Sequence, residues 1–349
     1  MCNYPRSGLS AGTLIRKGRW VSWIFALTVG AQTWAARWQD NDRETAPELI
    51  DLARKDQQPT DEAEPMPSAV WTDGTTMLTG EEALARARTA PQGLITDPSS
   101  LLGAGPLSRG AARIEPVNLM AAVLTEAYAR ATTATSSIPS EILVTHPDGW
   151  TGEQVSALRQ AAYRANLSVD PVVEGVAAAS AYRAWGGPGS RVLVVDADRR
   201  SAAAVARVNR VFVTLTSARD MSDRPVRRMA DEVLDRPGVR RELLNDVIVL
   251  GNGPNPDLVA SLTDLTDRSP SELTREAVVL GALHYHHALT PTDPVPVTTP
   301  PPPPSPPSAP AAKVNHYAAV KRKPALVPLL ILILVVLVIL ELIFVYWPF

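Results

Sequence analysis

The sequence has little of the residues that define several classes of protein. Cys2 is the single cysteine, which excludes an internal disulfide framework and a cysteine-ligated zinc site. The net charge is only −2, which excludes a basic nucleic-acid-binding protein on charge grounds. Three of the five histidines, His284, His286 and His287, crowd one helical turn, where a structural or exposed role is favoured over metal binding. We therefore expect neither a nucleic-acid partner nor a bound metal.

Proline, in contrast, is abundant and concentrated in one stretch. Eleven of the 32 prolines lie between Pro291 and Pro310. Such a run favours polyproline II and forms a semi-rigid spacer, about 60 Å long at roughly 3.1 Å per residue. Residues 290–323, which end in the basic triplet Lys321-Arg322-Lys323, are interpreted as a linker with a basic flank. A proline-rich ligand for a partner domain is the alternative interpretation.

An aliphatic segment long enough to cross a bilayer follows the linker. Residues 324–349 read PALVPLLILILVVLVILELIFVYWPF, and a bilayer core about 30 Å thick needs about 20 apolar residues in a helix. The basic triplet before this segment predicts that the preceding domain is cytoplasmic. We expect a tail-anchored, single-pass protein of the cell membrane. Glu341 either turns toward the far headgroups or contacts another helix.

Residues 1–20 form a basic N-terminal segment, and the apolar run that overlaps its end allows two interpretations. Arg16, Lys17 and Arg19 precede the run from Trp20 to Ala36, as in a secretory signal peptide. Polar residues interrupt the run, however, and its length of about 17 residues is short for a membrane span. A pair of β-strands is the alternative, and it is the one that we favour.

Between Ala46 and Leu289, short β-branched runs alternate with amphipathic helices, the pattern of an α/β fold. The predicted strands are 68–72, 142–145, 191–196, 203–208, 211–216 and 247–251. The predicted helices are 80–88, 116–131, 151–165, 175–185, 225–234, 256–263 and 274–288. Thr151 followed by Gln154 predicts a capping box at the start of the third of these helices.

Six segments of this α/β region stand in an order that a known family shares. They are SAVWTDGTTMLTGEEALARA (Ser68 to Ala87), GLITDPSSLLGAG (Gly93 to Gly105), ILVTHPDGWTGEQVSALRQAAYRANLSVDPVVEGVAAASAY (Ile142 to Tyr182), RVLVVDADRRSAAAVARV (Arg191 to Val208), NDVIVLGNGPNPDLVASL (Asn245 to Leu262) and REAVVLGALHY (Arg275 to Tyr285). In this order the chain resembles the nucleotide-binding domain of the DnaK-type heat-shock chaperones (heat-shock protein 70), a branch of the actin-like ATPase superfamily.

The resemblance implies a two-lobed, ribonuclease H-like domain over residues 21–289, with IFALTVGAQTWAARW (Ile24 to Trp38) as its first phosphate hairpin. It also implies a site of two glycine-rich hairpins, an acidic loop and an adenosine-contacting turn. The residues kept from that site are Gly30, Glu174, Asp196, Gly251 and Gly253. They are either a vestigial ATP or ADP site or structural residues that cap a strand, a helix and a tight turn.

The chain departs from the family pattern at positions that the chemistry needs. Thr28 stands where the family has an aspartate, and Ser99 stands where it has a catalytic lysine. In the second hairpin, Asp198, Arg199 and Arg200 replace glycines, and their side chains would crowd a phosphate. Where the family has a mobile insertion in the second lobe, we expect only one or two helices between Ser217 and Leu244, and we expect no peptide-binding β-sandwich. We therefore assign no catalytic residue and expect a pseudo-ATPase.

These features predict a catalytically inactive, DnaK-like scaffold or recruitment protein that binds protein partners at the cytoplasmic membrane face. Degenerate proteins of this family accompany type VII secretion systems, and an accessory role in such secretion is the most specific function that the resemblance implies. A membrane-tethered sensor of ATP or ADP is the main alternative. In a third interpretation, Arg199 and Arg200 hold an anionic ligand through their side chains.

Overall fold

A computed structural model describes residues 22–39, 45–53, 63–109, 111–182, 188–219, 225–251, 253 and 256–290. The predicted basic segment 1–20, the linker from residue 291 and the predicted membrane helix 324–349 lie outside these residues. Among the helices within the described ranges, none is both long and apolar enough to span a membrane.

The described residues form a mixed α/β fold, as predicted. Its strands are β1 (Trp23–Thr28), β2 (Gln32–Thr33), β3 (Ala35–Gln39), β4 (Glu48–Ile50), β5 (Met66–Pro67), β6 (Val70–Thr72), β7 (Met77–Thr79), β8 (Leu94–Ile95), β9 (Leu107–Arg109), β10 (Ala112–Ile114), β11 (Glu141–His146), β12 (Asp170–Val173), β13 (Arg191–Asp196), β14 (Ser201–Val208), β15 (Val211–Arg219), β16 (Leu244–Leu250) and β17 (Ser271–Leu273).

The helices of these residues are α1 (Gly80–Ala87), α2 (Pro116–Thr135), α3 (Gly152–Arg164), α4 (Glu174–Tyr182), α5 (Val226–Leu234), α6 (Pro256–Thr266) and α7 (Arg275–Leu289). Each of the seven predicted helices is present with small shifts at its ends, and residues 183–185 of the fourth lie outside the described ranges. Helix α3 begins with the predicted capping box, because Thr151 Oγ1 accepts the Gln154 amide and the Gln154 side chain accepts the Thr151 amide.

Two five-stranded sheets have the same strand order and the same strand directions. The first runs β12-β11-β1-β3-β4, and the second, written from the equivalent edge, runs β17-β16-β13-β14-β15. In each sheet the central strand pairs antiparallel with the next long strand of the chain and parallel with a later one: β1 with β3 and β11, and β13 with β14 and β16. The fold therefore contains one structural unit twice.

The N-terminal apolar run forms a strand pair, which is the alternative that the sequence favoured. Strands β1 and β3 pair from Trp23 opposite Gln39 to Leu27 opposite Ala35. Gly30 lies in the connection between them. The polar residues that interrupt the apolar run occupy the strand ends and this connection, where the chain changes direction.

The central strand of each sheet is buried on both faces, so it carries apolar side chains on both sides. Along β1, Phe25 and Leu27 enter an outer core with α2 and α3, whereas Ile24 and Ala26 enter a middle core. Strand β13 repeats the pattern, with alternate residues in the middle core and in a third core with α5. The middle core takes residues from both sheets and from α4 and α7.

Small residues allow α4 and α7 to approach each other closely inside the middle core. Ala177, Ala178 and Ala179 of α4 are buried. A Cβ atom built on Gly281 of α7 would lie 2.8 Å from the carbonyl carbon of Ala177. The helices therefore meet backbone to backbone at Gly281, and no space remains there for a larger residue.

Between β15 and β16 the chain forms one α-helix, α5, and a single 3₁₀ turn, Arg241–Leu243, within the residues that are described. This agrees with the one or two helices predicted for that stretch. The insertion is short, and α5 packs its buried residues Met229, Ala230 and Val233 against the second sheet.

Candidate functional site

The candidate residues lie where strands of the two sheets end. Gly30 follows β1, Glu174 follows β12 as the first residue of α4, Asp196 is the last residue of β13, and Gly251 and Gly253 follow β16. The carboxyl ends of parallel strands lie at the same edge of a sheet, so the loops that follow these strands in the two sheets can converge. The structure brings Gly30, Glu174 and Asp196 together through two arginine side chains.

Arg275, the first residue of α7, is one of these arginines. Its Nη1 lies 3.2 Å from Glu174 and its Nη2 lies 2.5 Å from Asp196. Arg275 is 8% exposed, Glu174 1% and Asp196 3%. Burial alone would lower the pKa of Arg275, but the carboxylates of Glu174 and Asp196 raise it above its ordinary value. Arg275 is therefore a permanent cation between two buried acids.

Arg199, in the turn between β13 and β14, is the second arginine. Its Nη1 lies 3.1 Å from Glu174 Oε1, and its backbone amide donates to Asp196 Oδ1 at 2.9 Å. The same guanidinium lies against Gly30, because a Cβ atom on Gly30 would be 3.0 Å from Arg199 Cζ and closer still to Nη2. The absence of a side chain at Gly30 thus leaves room for an arginine from the hairpin between β13 and β14.

The Arg199 guanidinium occupies the approach to Gly30 that a phosphate would use. A glycine hairpin binds phosphate by letting the ligand approach its backbone. At Gly30 that approach is taken by the Arg199 guanidinium, and the acids Glu174 and Asp196 are already neutralised by arginines. A phosphate against Gly30 would have to displace Arg199 from Glu174.

The two glycines after β16 serve the backbone turn. The Gly251 amide donates to the Leu273 carbonyl at 3.3 Å, and a Cβ atom at Gly251 would be 3.5 Å from Asp198 Oδ1. Gly253 has φ +91°, a left-handed conformation that favours glycine, and a Cβ atom there would meet no described atom within 4 Å. These two residues do not join the arginine cluster.

Thr28 and Ser99, two of the positions at which the sequence departs from the pattern that it resembles, make local contacts. Thr28 is buried, and its Oγ1 accepts the Trp34 amide at 2.9 Å across the first hairpin. Ser99 is also buried, and its amide and hydroxyl both donate to Asp97 Oδ1, at 3.0 and 2.6 Å. Each side chain therefore holds its own loop in shape.

Asp148 is a third buried acid at this place and was not among the predicted residues. Its Oδ2 accepts the Gly175 amide at 2.7 Å, at the start of α4, whereas its Oδ1 is buried without a hydrogen-bond partner. Burial, and then the charge of Glu174, raise the pKa of Asp148 to about 7. A Cβ atom on Gly175 would lie 2.8 Å from Oδ1, so only glycine fits beneath this carboxyl group.

The histidine trio makes structural contacts at the far end of α7. Trp38 stacks on His287 at 4.2 Å between ring centroids and meets His284 edge-on at 5.0 Å. His286 Nδ1 lies 3.2 Å from Glu141. Within the described ranges, no group of three or more His, Cys, Asp or Glu residues is placed to hold a metal ion.

Arg200 has a strained backbone conformation in the second hairpin. Its φ is +52°, a left-handed conformation that costs a non-glycine residue about 1–2 kcal/mol. We expect Arg200→Gly to be more stable to urea unfolding than Arg200→Ala by about 1 kcal/mol. Both variants remove the arginine side chain, so the difference isolates the backbone strain. Equal stability of the two variants would contradict this interpretation.

Sequence reasoning missed the two residues that complete the cluster. Arg275 stood inside a segment that resembles the family's final helix, and an arginine at a helix start gives no signal of burial. Asp148 stood in a loop beside His146 and Gly149. A charged residue flanked by a glycine and a proline before a capping box was the only available signal for Asp148.

Comparisons with known proteins give no family for this chain. No protein-family model matches the sequence, and no curated protein matches it.

Proposed function

We propose that the chain is a catalytically inactive, DnaK-like protein of the actin-like superfamily that works as a membrane-anchored scaffold or recruitment module. The observation that carries the proposal is the Arg199 guanidinium, which lies against Gly30 and 3.1 Å from Glu174. The two sheets of equal strand order support the two-lobed assignment, because an actin-like domain consists of two such units.

The absence of hydrolysis in this proposal follows from charge. Phosphoryl transfer depends on cations and donors that are aimed at the transferring phosphate, and removing one such group typically costs about 3–4 kcal/mol of transition-state stabilisation. Here the cations Arg199 and Arg275 are directed at Glu174 and Asp196. Ser99 stands in the place of the family's lysine and is bound to Asp97.

The location in this proposal comes from the sequence. The proline-rich linker and the aliphatic segment 324–349 would hold the head near the cytoplasmic face of the cell membrane. A tether of this kind raises the effective concentration of bound partners at the membrane. Recruitment of protein partners, with an accessory role in type VII secretion as the specific case, is the function that such a head supports.

Calorimetric titration of the full-length protein in detergent with ATP and with ADP, with and without Mg²⁺, tests the proposal. We expect no binding heat, that is, a Kd above about 1 mM, because phosphate and Arg199 compete for one place. A control titration of the Arg199→Gly variant with the same nucleotides shows whether removal of the guanidinium allows a phosphate to bind beside Gly30. Micromolar binding to the unmodified protein would contradict the scaffold and support the alternative of a nucleotide sensor.

The third interpretation, an anionic ligand held by Arg199 and Arg200, is the less favoured proposal. Arg199 already forms an ion pair with the buried Glu174, so an external anion would compete with an internal one.

A further inference from the structure

Three buried carboxyl groups meet between the sheets, and two arginines face them. Glu174 contacts both Arg199 and Arg275, and Asp196 contacts Arg275 and the Arg199 amide. Asp148 is 3% exposed, and its Oδ2 accepts the Gly175 amide. Its Oδ1 is buried and unpartnered. The guanidinium groups of Arg199 and Arg275 thus already form ion pairs with the other two acids, Glu174 and Asp196.

We propose that Asp148 is a proton-binding site of the folded head, and that loss of its proton loosens the contact of Arg199 with Glu174 and Gly30. The proton lies on Oδ1, since Oδ2 accepts the Gly175 amide, and it leaves to water on ionisation. The inference concerns the folded head and does not require that the head bind or refuse nucleotide.

The cost of burial favours the neutral form. A buried hydroxyl without a partner costs about 1–3 kcal/mol, whereas an isolated buried carboxylate costs far more and gains a proton instead. The charged groups that face this place are Glu174 on α4, Asp196 on β13, Arg199 in the next turn, Arg275 on α7 and Arg219 at the end of β15. The raised pKa of Asp148, about 7, agrees with this balance.

His146, one neighbour of Asp148, does not supply the missing charge. Burial lowers the pKa of His146, which stacks on Trp150 at 5.4 Å between ring centroids, so this imidazole is neutral at pH 7. Arg219 packs its Cβ against Gly149, and its Nε is buried without a hydrogen-bond partner. Ionised Asp148 would draw on Arg199, the hairpin arginine whose charge also acts on His146, at the expense of Glu174.

The sign of the pH dependence follows from the raised pKa. An unfolded aspartate ionises at about pH 3.9, whereas Asp148 in the folded head keeps its proton until about pH 7. The folded state therefore binds more protons between these values. Its extra stability is fully present below about pH 4 and is lost as the pH rises through about 7.

Thermal unfolding of the full-length protein between about pH 5 and about pH 8 tests the proposal against Asp148→Asn. The asparagine keeps an oxygen for the Gly175 amide and has no proton to lose. We expect the Tm of the wild type to fall over this range by on the order of 5 °C more than that of Asp148→Asn. Asp170→Asn, an exposed aspartate at the start of β12, is the matched control and should follow the wild type.

Parallel pH profiles of the wild type and Asp148→Asn would overturn the proposal. A second measurement covers the case in which Asp148→Asn does not fold. Carbon-13 NMR of wild-type protein with labelled aspartate carboxyls should show one aspartate that titrates near pH 7. Titration of every aspartate below about pH 5 would overturn the proposal equally.

Hydrogen exchange of the hairpin amides between β1 and β3 measures the loosening of the contact between Arg199 and Gly30. We expect protection of residues 29–34 in the wild type to fall with rising pH by more than the intrinsic exchange rate explains, and to stay constant in Asp148→Asn. Equal protection changes in both proteins would show that ionisation does not reach Arg199 and would overturn that part of the proposal.

Discussion

Replacement of Arg275 by methionine is expected to lower the free energy of unfolding by about 3–5 kcal/mol. Methionine has a similar length and no charge, so the variant leaves two carboxylates, Glu174 and Asp196, buried without their shared cation. Uncompensated buried charge is among the few causes of losses this large. Urea unfolding of the full-length protein, followed by tryptophan fluorescence, measures the change.

Arg241 offers a matched control for this variant. It also binds two aspartates, Asp231 at 2.6 Å and Asp235 at 2.5 Å, but its side chain is 39% exposed. We expect Arg241→Met to cost about 0–1 kcal/mol, because water solvates the aspartates that it leaves. Similar losses for Arg275→Met and Arg241→Met would show that burial at Arg275 does not matter.

A second substitution separates the charge effect from packing. Asp196→Asn removes the carboxylate that Arg275→Met leaves without an ion pair, whereas Glu174 keeps Arg199, so the double variant should recover part of the lost stability. No recovery in the double variant would mean that Arg275 acts by filling space rather than by neutralising Asp196.

Gly281→Ala is expected to destabilise the fold by about 1–3 kcal/mol, although alanine is the better helix former. The added methyl group would collide with the carbonyl of Ala177, a backbone group that cannot turn away. The helices α4 and α7 would have to separate inside the middle core. The same urea unfolding measures this loss.

Gly152→Ala is the matched control, since Gly152 is also helical and a Cβ atom there would meet no described atom within 4 Å. We expect this variant to be neutral or more stable, by up to about 1 kcal/mol. A stabilising effect at both glycines would show that α4 and α7 do not meet as closely as described.

Local patterns predicted most of the regular elements. The helix from Pro116 and the helix with the Thr151 capping box begin where the sequence indicates, because a proline at the first turn and a cap are local signals. The apolar runs of β13 and β16 were equally visible, since both faces of these strands are buried. Short strands such as β4 and β17 were missed, because three residues carry no periodicity.

The arginine cluster could not be read from the sequence in the same way. Arg275 is 101 residues from Glu174 and 79 residues from Asp196, so its burial depends on how distant elements pack. Arg199 was recognised as a residue that would crowd a phosphate, but the sequence did not indicate that its partners would be Glu174 and Gly30. Those pairings need the two hairpins to face each other.

The proposed function depends most on the position of Arg199. A crystal structure of the full-length protein grown with millimolar ATP and Mg²⁺ tests that position directly. We predict that the Arg199 guanidinium lies against Gly30 within ion-pair distance of Glu174, with no nucleotide bound between the hairpins. Nucleotide phosphates against Gly30, with Arg199 turned away from Glu174, would contradict the proposed function.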